Sequence, residues 1–104
     1  MTISPSRVPV HRILLAEDDD SMRAFLERAL ARAGYDVIGF ANGVEALERL
    51  EREPFTLLLT DIVMPRMDGY EVAAHMRGDA RLKAVPIIMI TSRVGEKHRA
   101  RALE

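Results

Sequence analysis

The chain has 104 residues, 48% hydrophobic and 30% charged, with a formal net charge of −1. That length holds one domain, and the apolar fraction supports a packed core, which excludes a disordered chain. The near-neutral charge points to no nucleic-acid or membrane partner, the lack of cysteine excludes disulfides and thiol catalysis, and no stretch approaches the roughly 20 apolar residues of a membrane span. A cysteine-free chain of this kind fits a cytoplasmic location.

Residues 1–9 contain Ser4, Pro5, Ser6 and Pro9 and no long apolar run, so they read as a flexible tail ahead of a domain spanning 10–104. Arg12 to Ala16 is a short apolar run, read as the first strand. It ends in four consecutive acids, Glu17 to Asp20. Met22, Phe25, Leu26, Ala29, Leu30 and Ala33 then recur at three- and four-residue steps, which predicts the buried face of an amphipathic helix. Gly34 is its stop signal, and Tyr35 to Phe40 is a second strand.

Asn42, with Glu45 three positions on, predicts a reciprocally capped second helix whose buried stripe is Val44, Leu47 and Leu50. Phe55 to Thr60 is a third strand that leads to Asp61 and is stopped by Pro65. Asp68 and Glu71 repeat the capping pattern ahead of a third helix burying Val72, Ala73 and Met76 and ending near Gly78. Pro86 to Thr91 is an apolar fourth strand, and Gly95 to Glu104 reads as a last helix. Short apolar strands alternating with helices predict an α/β fold, a parallel sheet with helices on both faces.

In a parallel sheet all carboxyl ends share one edge, where ligands bind. Glu17, Asp18, Asp61 and Thr91 therefore converge. Carboxylates near 4 Å repel by about 4 kcal/mol at an effective dielectric of 20. A hard cation offsets that repulsion, and an incomplete carboxylate cage favours Mg2+. His11, His75 and His98 share no metal spacing. No general base or second metal set accompanies the acids, so a small phosphatase gains no support.

Three segments resemble the receiver domain of bacterial two-component response regulators. Ile13-Leu14-Leu15-Ala16-Glu17-Asp18-Asp19 is similar to the family's first strand and acidic pair, Leu59-Thr60-Asp61-Ile62-Val63-Met64-Pro65-Arg66-Met67-Asp68-Gly69 to its phosphorylation segment, and Pro86-Ile87-Ile88-Met89-Ile90-Thr91-Ser92 to its fourth strand and switch hydroxyl. The resemblance implies a flavodoxin-like three-layer sheet, here of four strands in the order 2-1-3-4. It implies that Asp61 is the phosphoacceptor, supplied by a sensor histidine kinase or phosphotransfer protein. Glu17, Asp18, Asp61 and the backbone carbonyl of Val63 would hold Mg2+, Thr91 would be the switch hydroxyl, and the signal would pass to a downstream protein by contact, without classical enzyme turnover.

A full receiver also carries a fifth strand, with a lysine for the phosphoryl group and an aromatic switch residue. Lys83 precedes the fourth strand and Lys97 follows Thr91 too soon to fill that role. The expectation is a receiver lacking its fifth strand and helix, with Pro86 to Thr91 as an uncovered apolar edge. Such an edge predicts a homodimer, or exchange of a strand or helix between copies, through the fourth strand or last helix. The alternative function is thus a truncated or engineered receiver, a self-assembling interaction module with impaired phosphorylation.

Overall fold

A computed structural model of the protein describes residues 10–90. The residue 1–9 tail, Thr91 and the last helix lie outside the described residues. Four strands, β1 (Arg12–Ala16), β2 (Asp36–Phe40), β3 (Leu57–Asp61) and β4 (Ile87–Ile90), alternate with three helices, α1 (Asp20–Arg32), α2 (Gly43–Arg52) and α3 (Gly69–Arg77). All strand pairs are parallel, and the order is β2-β1-β3-β4, as the sequence implied. β3 begins two residues later than predicted and takes in Asp61 itself.

Side chains alternate across the strands. Leu14 and Ala16 of β1 and Leu58 of β3 form one core with Ala46, Leu47 and Leu50 of α2 and Val72 and Met76 of α3. Leu14, Leu58, Val72 and Met76 are completely buried. Val44, expected in the buried stripe of α2, is half-buried, and Ala46 takes the inner position.

The opposite face departs from expectation. Ile13 and Leu15 are buried beneath it, yet no residue of α1 is buried and Phe25 is 58% exposed. The reason is geometric. Among the described residues α1 is the sole helix on that face, and one helix packed on β1 and β2 cannot cover the rim of a four-stranded sheet. Leu57 and Leu59 of β3 and Ile88 of β4, with Ile13 and Leu30, line an open apolar groove of about 410 Å³ there.

Local signals set the helix ends. Asp19 caps α1, its side chain accepting from Met22 N at 2.7 Å. Asn42 caps α2 by accepting from Glu45 N at 2.9 Å, one half of the expected pair. At α3 both halves form, with Asp68 accepting from Glu71 N at 2.9 Å and Glu71 Oε1 from Asp68 N at 3.2 Å. At the amino edge of the sheet the Arg12 guanidinium bridges Asp36 and Glu53, each at 3.1 Å, and lies 4.7 Å over the Phe55 ring. These partners, the hydrogen bond to Glu53 foremost, push its pKa above the ordinary arginine value.

Candidate functional site

The sheet register builds the site. Ala16 lies opposite Thr60, so the next residues, Glu17 and Asp61, leave neighbouring strands side by side. β1 and β3 also flank the point where the strand order reverses, the position at which open α/β sheets form their crevice. Carboxylate oxygens of Glu17, Asp18 and Asp61 all come within 4.8 Å of one another. Glu17 and Asp61 are each 1% exposed, while Asp18 is half-buried.

Backbone contacts hold these acids in place. The Glu17 amide donates to Phe40 O of β2 at 2.9 Å, and Glu17 Oε2 accepts from Asp19 N at 2.8 Å. Asp61 Oδ1 accepts from the amide of Val63, itself buried, at 3.4 Å. The Thr60 hydroxyl donates to Asp61 O at 2.9 Å. The loop after Asp61 turns at Pro65 and Arg66, whose φ of 68° is the left-handed conformation that L residues rarely adopt. It is anchored by Gly69 N donating to Ile62 O at 2.8 Å. Met64 is buried in the main core and Met67 packs against it.

Of the residues singled out from sequence, the structure brings together Glu17, Asp18, Asp61 and Val63. Thr91 lies outside the described residues; its neighbour Ile90 pairs with Asp61 in the β3–β4 register. One contributor was missed. Arg23 of α1 donates from Nη1 to Glu17 O at 2.9 Å and from Nη2 to Asp20 Oδ1 at 2.7 Å. Its signal was a basic residue in the first helical turn, where the helix dipole favours acids.

The donor set is three carboxylates without imidazole or thiolate, which suits a hard divalent cation and fits Mg2+. Two buried carboxylates and a third beside them form a negative cavity that is costly without a counter-charge.

Residues 13–104 match the family described as the response regulator receiver domain. The chain belongs to that family. A response regulator receiver protein CpdR from Brucella abortus is 68% identical over 62 residues, 60% of this chain. The chain spans about half of that relative's length, 52%. Chemotaxis protein CheY1 of Helicobacter pylori is 39% identical over 95 residues, covering 89% of this chain and 77% of the relative. The chemotaxis response regulator CheY4 of Vibrio cholerae superposes with a TM-score of 0.76 at 30% identity, over 86% of this chain and 77% of that one. The receiver domain of the sensor histidine kinase PA1611 from Pseudomonas aeruginosa, solved with a magnesium ion coordinated in its active-site cleft, superposes with a TM-score of 0.78 at 30% identity, over 88% and 75%. The chain is thus a two-component receiver with the flavodoxin-like fold.

Proposed function

We propose that Asp61 is the phosphoacceptor of this receiver, taking a phosphoryl group from the phosphohistidine of a sensor kinase or phosphotransfer protein. The observation that carries this reading is the convergence of Glu17, Asp18 and Asp61 within 4.8 Å at the carboxyl edge of the sheet. An Asp61 carboxylate oxygen attacks phosphorus, an O–P bond forms, the donor's N–P bond breaks, and the electron pair stays on the histidine nitrogen. The result is an acyl phosphate on Asp61.

Glu17, Asp18, Asp61 and the Val63 carbonyl would hold Mg2+, an assignment supported by the ion in the PA1611 receiver cleft. The ion's contribution is to offset negative charge on the attacking and transferred groups. The chain's own part is positioning. The Val63 amide orients the Asp61 carboxylate, and burial of Asp61 at 1% exposure keeps competing water away. Thr91, next along from the residue paired with Asp61, would bind the phosphoryl oxygens and shift with them, a change that a downstream protein reads by contact. The chain acts as a phosphorylated signalling protein in the cytoplasm, without substrate turnover. No helix among the described residues is long and apolar enough to cross a membrane.

The test is incubation with a small phosphodonor and Mg2+, followed by intact-mass measurement. One added phosphate, absent in Asp61→Asn and without Mg2+, supports the reading. An unmodified wild-type chain under conditions that phosphorylate a control receiver defeats it.

A second reading has its own observation. Among the described residues β4 borders the sheet, and its Ile88 is 52% exposed beside the apolar groove. A second copy pairing along β4 would continue the sheet and bring its own apolar face alongside Ile88. Sedimentation across a concentration series tests this. A concentration-dependent dimer that Ile88→Lys abolishes supports it, and a monomer at every concentration rejects it.

A further inference from the structure

We propose that Arg23 is a positioning residue for divalent-cation binding: it clamps the Glu17 carbonyl and thereby sets how Glu17 and Asp18 present their carboxylates. The inference rests on the metal-dependent reading of the acidic pocket.

Arg23 stands in the first turn of α1, where a cation opposes the helix dipole. Its placement therefore needs compensation. Nη1 donates to Glu17 O at 2.9 Å, Nη2 donates to Asp20 Oδ1 at 2.7 Å, and the side chain is only 21% exposed. The stem lies over Gly39 of β2, where a β-carbon would come within 3.2 Å of Arg23 Cδ. The guanidinium is thus seated between sheet and helix, facing the back of the acidic loop.

The clamp closes a set of restraints on one residue. The Glu17 amide is held by Phe40 O, its carboxylate by Asp19 N and its carbonyl by Arg23. With that carbonyl fixed, the plane of the peptide joining Glu17 to Asp18 is fixed, and so is the direction in which the Asp18 side chain leaves the backbone. The third acid, Asp61, comes from a different strand, so the three carboxylates meet only if this loop holds its course. Groups behind a metal's ligands commonly set affinity in this way.

A purely electrostatic role predicts the opposite sign. Arg23 carries positive charge beside an anionic pocket, and removing charge alone would tighten cation binding. The clamp predicts weaker binding. Mg2+ titration by calorimetry at fixed ionic strength separates them, using wild type, Arg23→Ala, Arg23→Lys and, as a control for charge, Arg28→Ala on the exposed surface of the same helix. Thermal unfolding in chelator checks that each variant is folded. The expected result is about tenfold weaker Mg2+ binding in Arg23→Ala, an intermediate loss in Arg23→Lys, which keeps the charge but not the two-pronged fork, and a change under about twofold in Arg28→Ala. Affinity in Arg23→Ala equal to or tighter than wild type overturns the proposal. Should Arg23→Ala not fold, Arg23→Lys decides: unchanged affinity overturns it. A wild-type chain that binds no Mg2+ overturns both this proposal and the metal reading beneath it, whereas normal wild-type binding with an indifferent Arg23→Ala removes this proposal alone.

Discussion

Gly69 lies against the backbone carbonyl of Asp61. A β-carbon at Gly69 would stand 2.6 Å from Asp61 O and 3.2 Å from Ile62 Cα. Both are main-chain atoms of the segment that carries the acid, so neither can move without moving the acid. The start of α3 and the end of β3 are therefore one packed unit.

Gly69→Ala should be destabilising, by about 1–3 kcal/mol, because the clash outweighs alanine's intrinsic helix preference of about 1 kcal/mol. Gly78→Ala is the contrast, since its β-carbon would meet nothing closer than 3.7 Å. Urea denaturation of the two variants should show a loss for the first and a change near zero for the second. Equal effects would remove the packing argument.

Asp61→Asn should raise thermal stability in metal-free buffer. Two unit charges within 4.8 Å of each other repel by roughly 3.5 kcal/mol or more at an effective dielectric of 20, and the substitution removes one charge from the cluster. Adding Mg2+ should stabilise the wild type and narrow the gap. Melting curves with and without Mg2+ check this, and a variant less stable than wild type in chelator contradicts it.

The capping box at α3 gives a third expectation. Asp68→Ala removes the acceptor for Glu71 N and should lower stability by about 1 kcal/mol. Since Asp68 and Glu71 bond to each other's amides, the double alanine variant should cost less than the sum of the singles. A double-mutant cycle in urea that is strictly additive would show the two bonds to be independent.

Phe25 and Leu58 separate the two faces of the sheet. Both belong to apolar patterns in the sequence, but Leu58 is completely buried and Phe25 is 58% exposed. Leu58→Ala should cost about 2–5 kcal/mol, and Phe25→Ala should stay within about 0.5 kcal/mol. Comparable losses would mean that α1 is covered in solution by something that its packing on β1 and β2 does not supply.

What the sequence determined by itself was local order. The alternation of apolar runs with three- and four-residue periodicity specified every described strand and helix. Asp68 with Glu71 specified a cap in full, and the phosphorylation-type segment around Asp61 was legible residue by residue. These features depend on neighbours within a turn or two of chain, so one sequence displays them. Tertiary structure decided the remainder. The sequence implied that Glu17, Asp18 and Asp61 share one edge, but their approach to within 4.8 Å follows from the register that sets Ala16 opposite Thr60. The incomplete burial of the α1 stripe follows from α1 being the sole helix on its face among the described residues. The seat of Gly69 against Asp61 and the reach of Arg23 to Glu17 O likewise join elements whose distance no periodicity encodes. A helical pattern states which side of a helix is apolar, but burial requires a second surface, and only the assembled sheet supplies or withholds it.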